Sequence, residues 1–193
     1  MSPPDAFRRA VLWVAVLNLA YFVVEGAVAL SIGSVSLIAD GIDLLEDGSV
    51  NLLIFFAAAW SARRRVAVGT VLAWLILLPS VAAVWLAVLK VLDPSPPESV
   101  AMALTAGGAL VVNVASALLL ARHRTDDSSL TKAAWLSTRN DLVANVAIIA
   151  VAIIALWWPT GWLDLVVGVA ILLLNADAAF VVWRTSRRER SAE

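Results

Sequence analysis

The sequence predicts an all-α, polytopic membrane protein with six transmembrane helices and both termini in the cytoplasm. Hydrophobic residues make up 62% of the 193-residue chain and the mean hydropathy is +0.90, whereas soluble domains hold roughly 45–50% apolar residues. These residues fall into six runs, at 10–31, 34–60, 67–91, 99–121, 130–156 and 161–183, each near the roughly 20 residues that a helix needs to cross a hydrocarbon core. The runs are continuous, whereas barrel strands would alternate over about ten residues. Lys and Arg gather at every second connection, which sets the orientation.

Residues 1–9 form a short polar cytoplasmic segment. The first run is too long for a signal peptide and lacks the small-residue cleavage pattern, so it is expected to be retained. Arg8 and Arg9 precede helix one, Arg63 to Arg65 follow helix two, Arg122, Arg124 and Lys132 lie between helices four and five, and Arg184, Arg187, Arg188 and Arg190 lie in the basic tail at 184–193. The opposite side has only Lys90. Connections are short: Gly33-Ser34, 61–65, the proline-rich Asp93 to Pro97, 122–129 and 158–161. Asp126, Asp127, Ser128 and Ser129 offer capping oxygens to helix five, and Asp164 lies close enough to the start of helix six to cap it. Trp60, Trp157, Trp158, Trp162 and Trp183 sit near helix ends, as in an interfacial belt. Residues 10–183 therefore form one membrane domain. There is no cysteine, which excludes disulfides and thiolate ligands. The net charge is −1 and no nucleic-acid partner is expected; the lipid bilayer is.

Asn18, Asp47 and Asn51 have counterparts in Asn113, Asp141 and Asn145, at offsets of 95, 94 and 94. Asp47 to Asn51 and Asp141 to Asn145 share an Asp-x-x-x-Asn pattern. A unit of three helices is odd, so the halves would form an inverted 3+3 repeat, an arrangement that places transporter sites at the repeat interface. The repeat pairs helix two with helix five.

The costliest stretch to place in a membrane is Asp40 to Asp47, which holds Asp40, Asp43, Glu46 and Asp47. One ionised side chain at the bilayer centre costs about 2.5–3.5 kcal/mol on a lenient scale, so four require partners, water or a cation. At 100° per residue Asp40, Asp43 and Asp47 lie within about 60° of one another, with Glu46 about 60° further round. Such a stack opposes helix formation unless a cation or protons sit among the carboxylates. Ser137, Asp141 and Asn145 form a second stripe on helix five. Facing stripes gather Asp43, Asp47, Asp141 and Ser137 around a point, an oxygen-rich set suited to hard divalent cations such as Mg²⁺ or Mn²⁺, and carboxylates bind zinc as well. Clustered acids can also exchange protons for a metal, which makes coupled antiport the mechanistic expectation.

Around this set, Asp40 reads either as an N-cap or entrance carboxylate or as a ligand. Arg139 points about 160° away from Asp141 and needs a carboxylate partner, for which Glu46 or Glu25 would serve in a structural or gating ion pair. Asn18, Asn51, Asn113 and Asn145 read as interhelical hydrogen-bonding groups. His123, in a cytoplasmic loop, reads as solvated. Asp40-x-x-Asp43-x-x-x-Asp47 also matches the spacing by which membrane prenyltransferases hold Mg²⁺ and a diphosphate. Those enzymes carry more helices, a second aspartate-rich motif and bases for the diphosphate; here helix five has one Asp, and the nearby base is Arg139.

The segment from Gly33 through Asp40, Asp43 and Glu46 to Asp47, together with that from Ala134 through Ser137 and Asp141 to Asn145, resembles the helix-two and helix-five signatures of the cation diffusion facilitator family. The resemblance extends over nearly the whole chain. It implies six helices with cytoplasmic termini, export of divalent metals, usually zinc, in exchange for protons, and a homodimer. It also implies a metal site of two residues four apart on each signature helix: Asp43 and Asp47, then Ser137 and Asp141. Ser137 stands where zinc-selective members usually carry histidine or aspartate. The family's cytoplasmic C-terminal domain is not expected here, so a dimer would be held through membrane helices. The expectation is thus a plasma (inner) membrane exporter of zinc, cobalt, manganese or iron, with Mg²⁺ also compatible with the oxygen set and with no prosthetic group or catalytic residue.

Overall fold

The computed structural model describes the backbone of residues 3–57, 80–121 and 129–174, and the side chains of 6–56, 80–121 and 140–174. Six helices lie in these residues: α1 (Pro3–Ile32), α2 (Val35–Ala57), α3 (described from Ser80–Leu92), α4 (Ser99–Ala121), α5 (Ser129–Ala155) and α6 (described over Gly161–Leu174). α4 occupies the same residues as the fourth apolar run, and α5 is shifted from the fifth by a single residue. α1 begins seven residues before its run, at Pro3, because proline suits a first turn whose N–H needs no partner.

Local chemistry explains the ends. α1 stops at Gly33, whose φ of 65° is left-handed and so favours glycine; Ser34 N–H then donates to Ala29 O at 3.0 Å, the six-to-one bond of a Schellman ending. Ser34 at once caps α2, its Oγ accepting from Leu37 N–H at 3.2 Å. α1 and α2 therefore form a tight antiparallel hairpin. At its other end the Arg8 guanidinium lies 5.0 Å from the Phe55 ring centroid. Glu98 caps α4 by accepting from Val100 and Ala101 N–H at 2.9 and 2.6 Å. Thr160 accepts from Trp162 N–H at 3.3 Å, and Gly161 N–H donates to Pro94 O at 3.0 Å, tying the start of α6 to the proline-rich connection.

α1 packs broadly on α2 and on α4, α4 packs on α5, and α2 meets α5 over a shorter stretch. The apolar core draws on every helix, with Ala29, Leu37, Ala83, Met102, Ile148 and Ile171 among its members. Buried positions also hold Asn18, Glu25, Asp40, Asn145 and Asp164, while Val23, Leu104, Val111 and Leu173 are exposed. Apolar residues outside and polar ones within are what a lipid solvent selects, since there the helices gain little by hiding leucine and much by pairing polar groups with each other. Trp157, Trp158 and Trp162 are exposed around the α5–α6 turn, where the belt was expected. Trp60, Trp183, the basic connection at 61–65, the 122–128 loop with His123, and the tail lie outside the described residues.

Candidate functional site

α1, α2 and α5 bring the acids together. Asp40 is the sixth residue of α2 and fully buried, and its Oδ1 accepts from Asn145 Nδ2 of α5 at 3.1 Å. This corrects the N-cap reading of Asp40: Ser34 caps the helix, and Asp40 lies a turn further in. Asn145 Nδ2 also donates to Asp141 O at 2.9 Å, and Asn51 Nδ2 to Asp47 O at 2.8 Å. The two Asp-x-x-x-Asn segments thus carry the same i to i−4 bond. For Asn51 this is an intrahelical use of a side chain expected to reach between helices. Asn145 makes the interhelical bond, and so does Asn18, whose Nδ2 donates to Ser116 Oγ of α4 at 3.2 Å.

Asp43, Asp47 and Asp141 are half-buried and Glu46 is exposed. The Asn145–Asp40 hydrogen bond joins α2 to α5 at the level of the acidic stretch, and the two helices touch over a short length. Among the described residues no three His, Cys, Asp or Glu side chains stand close enough to hold a metal ion, so the structure does not draw Asp43, Asp47 and Asp141 into one coordination shell. The side chains of Ser137 and Arg139 lie outside the described residues, and with them the Arg139 pairing with Glu46 or Glu25. Glu25, on α1, is fully buried. It lies beside Asp40, with its Cγ 3.9 Å from where a side chain on Gly41 would begin.

Asp164 does not cap α6; it caps α2. Its Oδ2 accepts from Val35 N–H at 2.9 Å, and its Oδ1 from Ser36 N–H at 3.1 Å, Ser34 Oγ at 2.7 Å and Ser36 Oγ at 2.6 Å. Lys90 Nζ of α3 stands 3.6 Å from Asp164 Oδ2 and donates to Gly33 O at 2.6 Å. A carboxylate suits the exposed N–H groups and positive end of a helix, and this one is saturated, so it anchors rather than binds a passing ion. The sequence carried signals for it: an acid one turn inside its helix instead of ahead of it, a lone Lys on its side of the membrane, and Ser34-x-Ser36. Tyr21 was also missed; its hydroxyl donates to Thr105 O at 2.8 Å across the space left by Gly108.

A model of the cation efflux transmembrane domain family matches residues 11–189. The chain is 27% identical over 203 aligned positions to the zinc transporter ZitB of Escherichia coli (strain K12), covering 97% of this chain and 64% of that protein. The values are the same for ZitB of Shigella flexneri. With ZitB of Pectobacterium atrosepticum the identity is 26% over 189 positions, covering 90% of this chain and 58% of the relative. The chain thus spans less than two thirds of the length of these relatives. A match over residues 11–189, which reaches every helix, shows that the chain belongs to the cation efflux transmembrane domain family.

Proposed function

We propose that this domain exports divalent metal cations from the cytoplasm in exchange for protons, with zinc the first candidate and cobalt, manganese and iron compatible with the same ligands. The observation that supports the reading is the Asp40–Asn145 hydrogen bond, which joins α2 to α5 at the acidic stretch inside a helical bundle whose outer surface is apolar. Buried carboxylates without cations cost several kcal/mol each, so such a set makes physical sense as a place that cations enter and leave. Asp43, Asp47 and Asp141 supply charge and Ser137 a neutral oxygen, and protons take the ion's place when it departs. α2 meets α5 over a short stretch, so little packing has to be rebuilt for Asp47 and Asp141 to close around an ion. Family membership and the zinc transporters among the relatives favour transport over the diphosphate-binding alternative.

Six crossings return the chain to the side on which it began, and the basic connections make that side the cytoplasm of a bacterial-type plasma membrane. We further propose a homodimer joined through membrane helices. Everted vesicles containing the purified chain test the activity directly: an imposed proton gradient should drive zinc uptake, with protons released as zinc enters. Zinc-independent proton flux, or prenyl transfer without metal uptake, would refute the reading.

A further inference from the structure

Five buried side-chain oxygens lack a hydrogen-bond partner among the described residues: Asn18 Oδ1, Glu25 Oε1 and Oε2, Asp40 Oδ2 and Asn145 Oδ1. Four of the five belong to three neighbouring residues on three different helices. Asn145 is held against Asp40 by its own Nδ2, and Glu25 lies against Asp40 from α1. All three side chains are fully buried. Asn145 Nδ2 is already engaged, and the Glu25 and Asp40 carboxyl groups reach each other, so a shared proton or a cation must lie between them.

No basic side chain among the described residues answers them. Arg8 stacks on Phe55, and Lys90 is engaged by Asp164 and Gly33. Arg9 lies sixteen residues before Glu25 on the same helix, roughly 24 Å away along the axis. The neighbouring Tyr21 hydroxyl is committed to Thr105 O. Two carboxyl groups within hydrogen-bonding reach of each other and an amide oxygen, fully buried and with no basic partner among the described residues, offer oxygen ligands of the kind that hard cations take.

We propose that Glu25, Asp40 and Asn145 form a second binding site for a hard divalent cation, distinct from Asp43, Asp47, Ser137 and Asp141. Asp40 precedes Asp43 by one turn on α2, and Asn145 follows Asp141 by one turn on α5. The two helices run in opposite directions through the membrane in the topology above, so both displacements point away from the cytoplasm. The second site is then a station that an exported ion meets after leaving the first, and in this role it rests on the transport reading.

Mn²⁺ alone is the probe, counted per chain by electron paramagnetic resonance on purified wild-type protein at fixed pH. Wild type should bind two ions, Glu25→Gln one, Asn145→Ala one, and the Asp47→Asn/Asp141→Asn pair one. Gln is the isostere of a protonated Glu. If Glu25 and Asp40 merely share a proton, wild type will bind one ion and Glu25→Gln will leave that count unchanged, which overturns the proposal. A wild-type count of one that is abolished by the Asp47→Asn/Asp141→Asn pair also overturns it. If instead that pair leaves the count unchanged while Glu25→Gln lowers it by one, the second site stands and the transport site fails. A single, unbroadened size-exclusion peak for each variant excludes misfolding as the source of a lost ion, and the Asn145→Ala result keeps the test decisive if Glu25→Gln does not fold.

Discussion

The carboxylates of α2 differ in their surroundings, and mutation should separate them. Asp47→Asn and Asp141→Asn each remove charge from the space between α2 and α5 while keeping side-chain volume, so proton-driven zinc uptake in everted vesicles should fall at least about tenfold, equivalent to about 1.4 kcal/mol, with the protein still monodisperse. Unchanged uptake in both variants refutes the site. Ser137→Ala should cost less, since water can replace a neutral oxygen, whereas Ser137→Asp adds a carboxylate and should tighten metal binding by roughly tenfold, read by isothermal titration calorimetry. Asp40 sits only one turn from Asp43, yet its fixed partner is Asn145. Its burial makes it part of the interior rather than the mouth of the site.

Helix ends and helix crossings follow a different chemistry. Asp164 holds the start of α2 through four hydrogen bonds and stands beside Lys90, so Asp164→Ala strands buried donors and a buried ammonium. We expect a loss of about 3–5 kcal/mol, visible as a lowered thermal unfolding midpoint in detergent. Thr160→Ala removes a cap from α6 and should cost about 1 kcal/mol. Equal losses would contradict the assignment of Asp164 to α2. Gly48 sets the approach of α1 and α2: a Cβ there would come within 2.7 Å of Leu19 Cγ and 3.2 Å of its backbone N. Gly48→Val should destabilise the hairpin by about 1–3 kcal/mol, and combining it with Leu19→Ala should recover part of the loss, because the side-chain clash is relieved and the backbone one remains.

At the scale of the molecule, the absence of cysteine permits a clean topology test. A single cysteine at Ser95, between α3 and α4, should react with a membrane-impermeant thiol reagent from outside intact cells. One at Ser191 should react only after the membrane is opened. Reversed labelling would turn the direction of the proposed transport around. The match of family and helices accords with the way the bundle is assembled: α1 joins α2 and α4, α4 joins α5, and Asp40 of α2 meets Asn145 of α5 where these pairings bring two distant segments together.

Six apolar runs, their order and, among the described residues, their ends apart from the start of α1 were legible because the membrane imposes a length and a polarity on each segment independently of its neighbours. The acidic stripe of α2 was legible for a related reason: helical spacing fixes the angle at which Asp40, Asp43 and Asp47 leave the axis. Partnership across helices has no such local rule. Asp164 bonds to residues 128 to 130 positions away, and its position one turn inside α6 hints that it serves another helix without saying which. Asp40 resembles an entrance carboxylate until Asn145 arrives from α5, and Glu25 resembles an isolated acid until α1 lays it against Asp40. Sequence by itself determined the membrane class, the six-helix order and the acidic stripe of α2, because each depends on residues within one segment. Tertiary structure alone decided which acid is spent on anchoring α2 and which are left with vacant oxygens, because the energy of a buried charge is set by the atoms that pack around it.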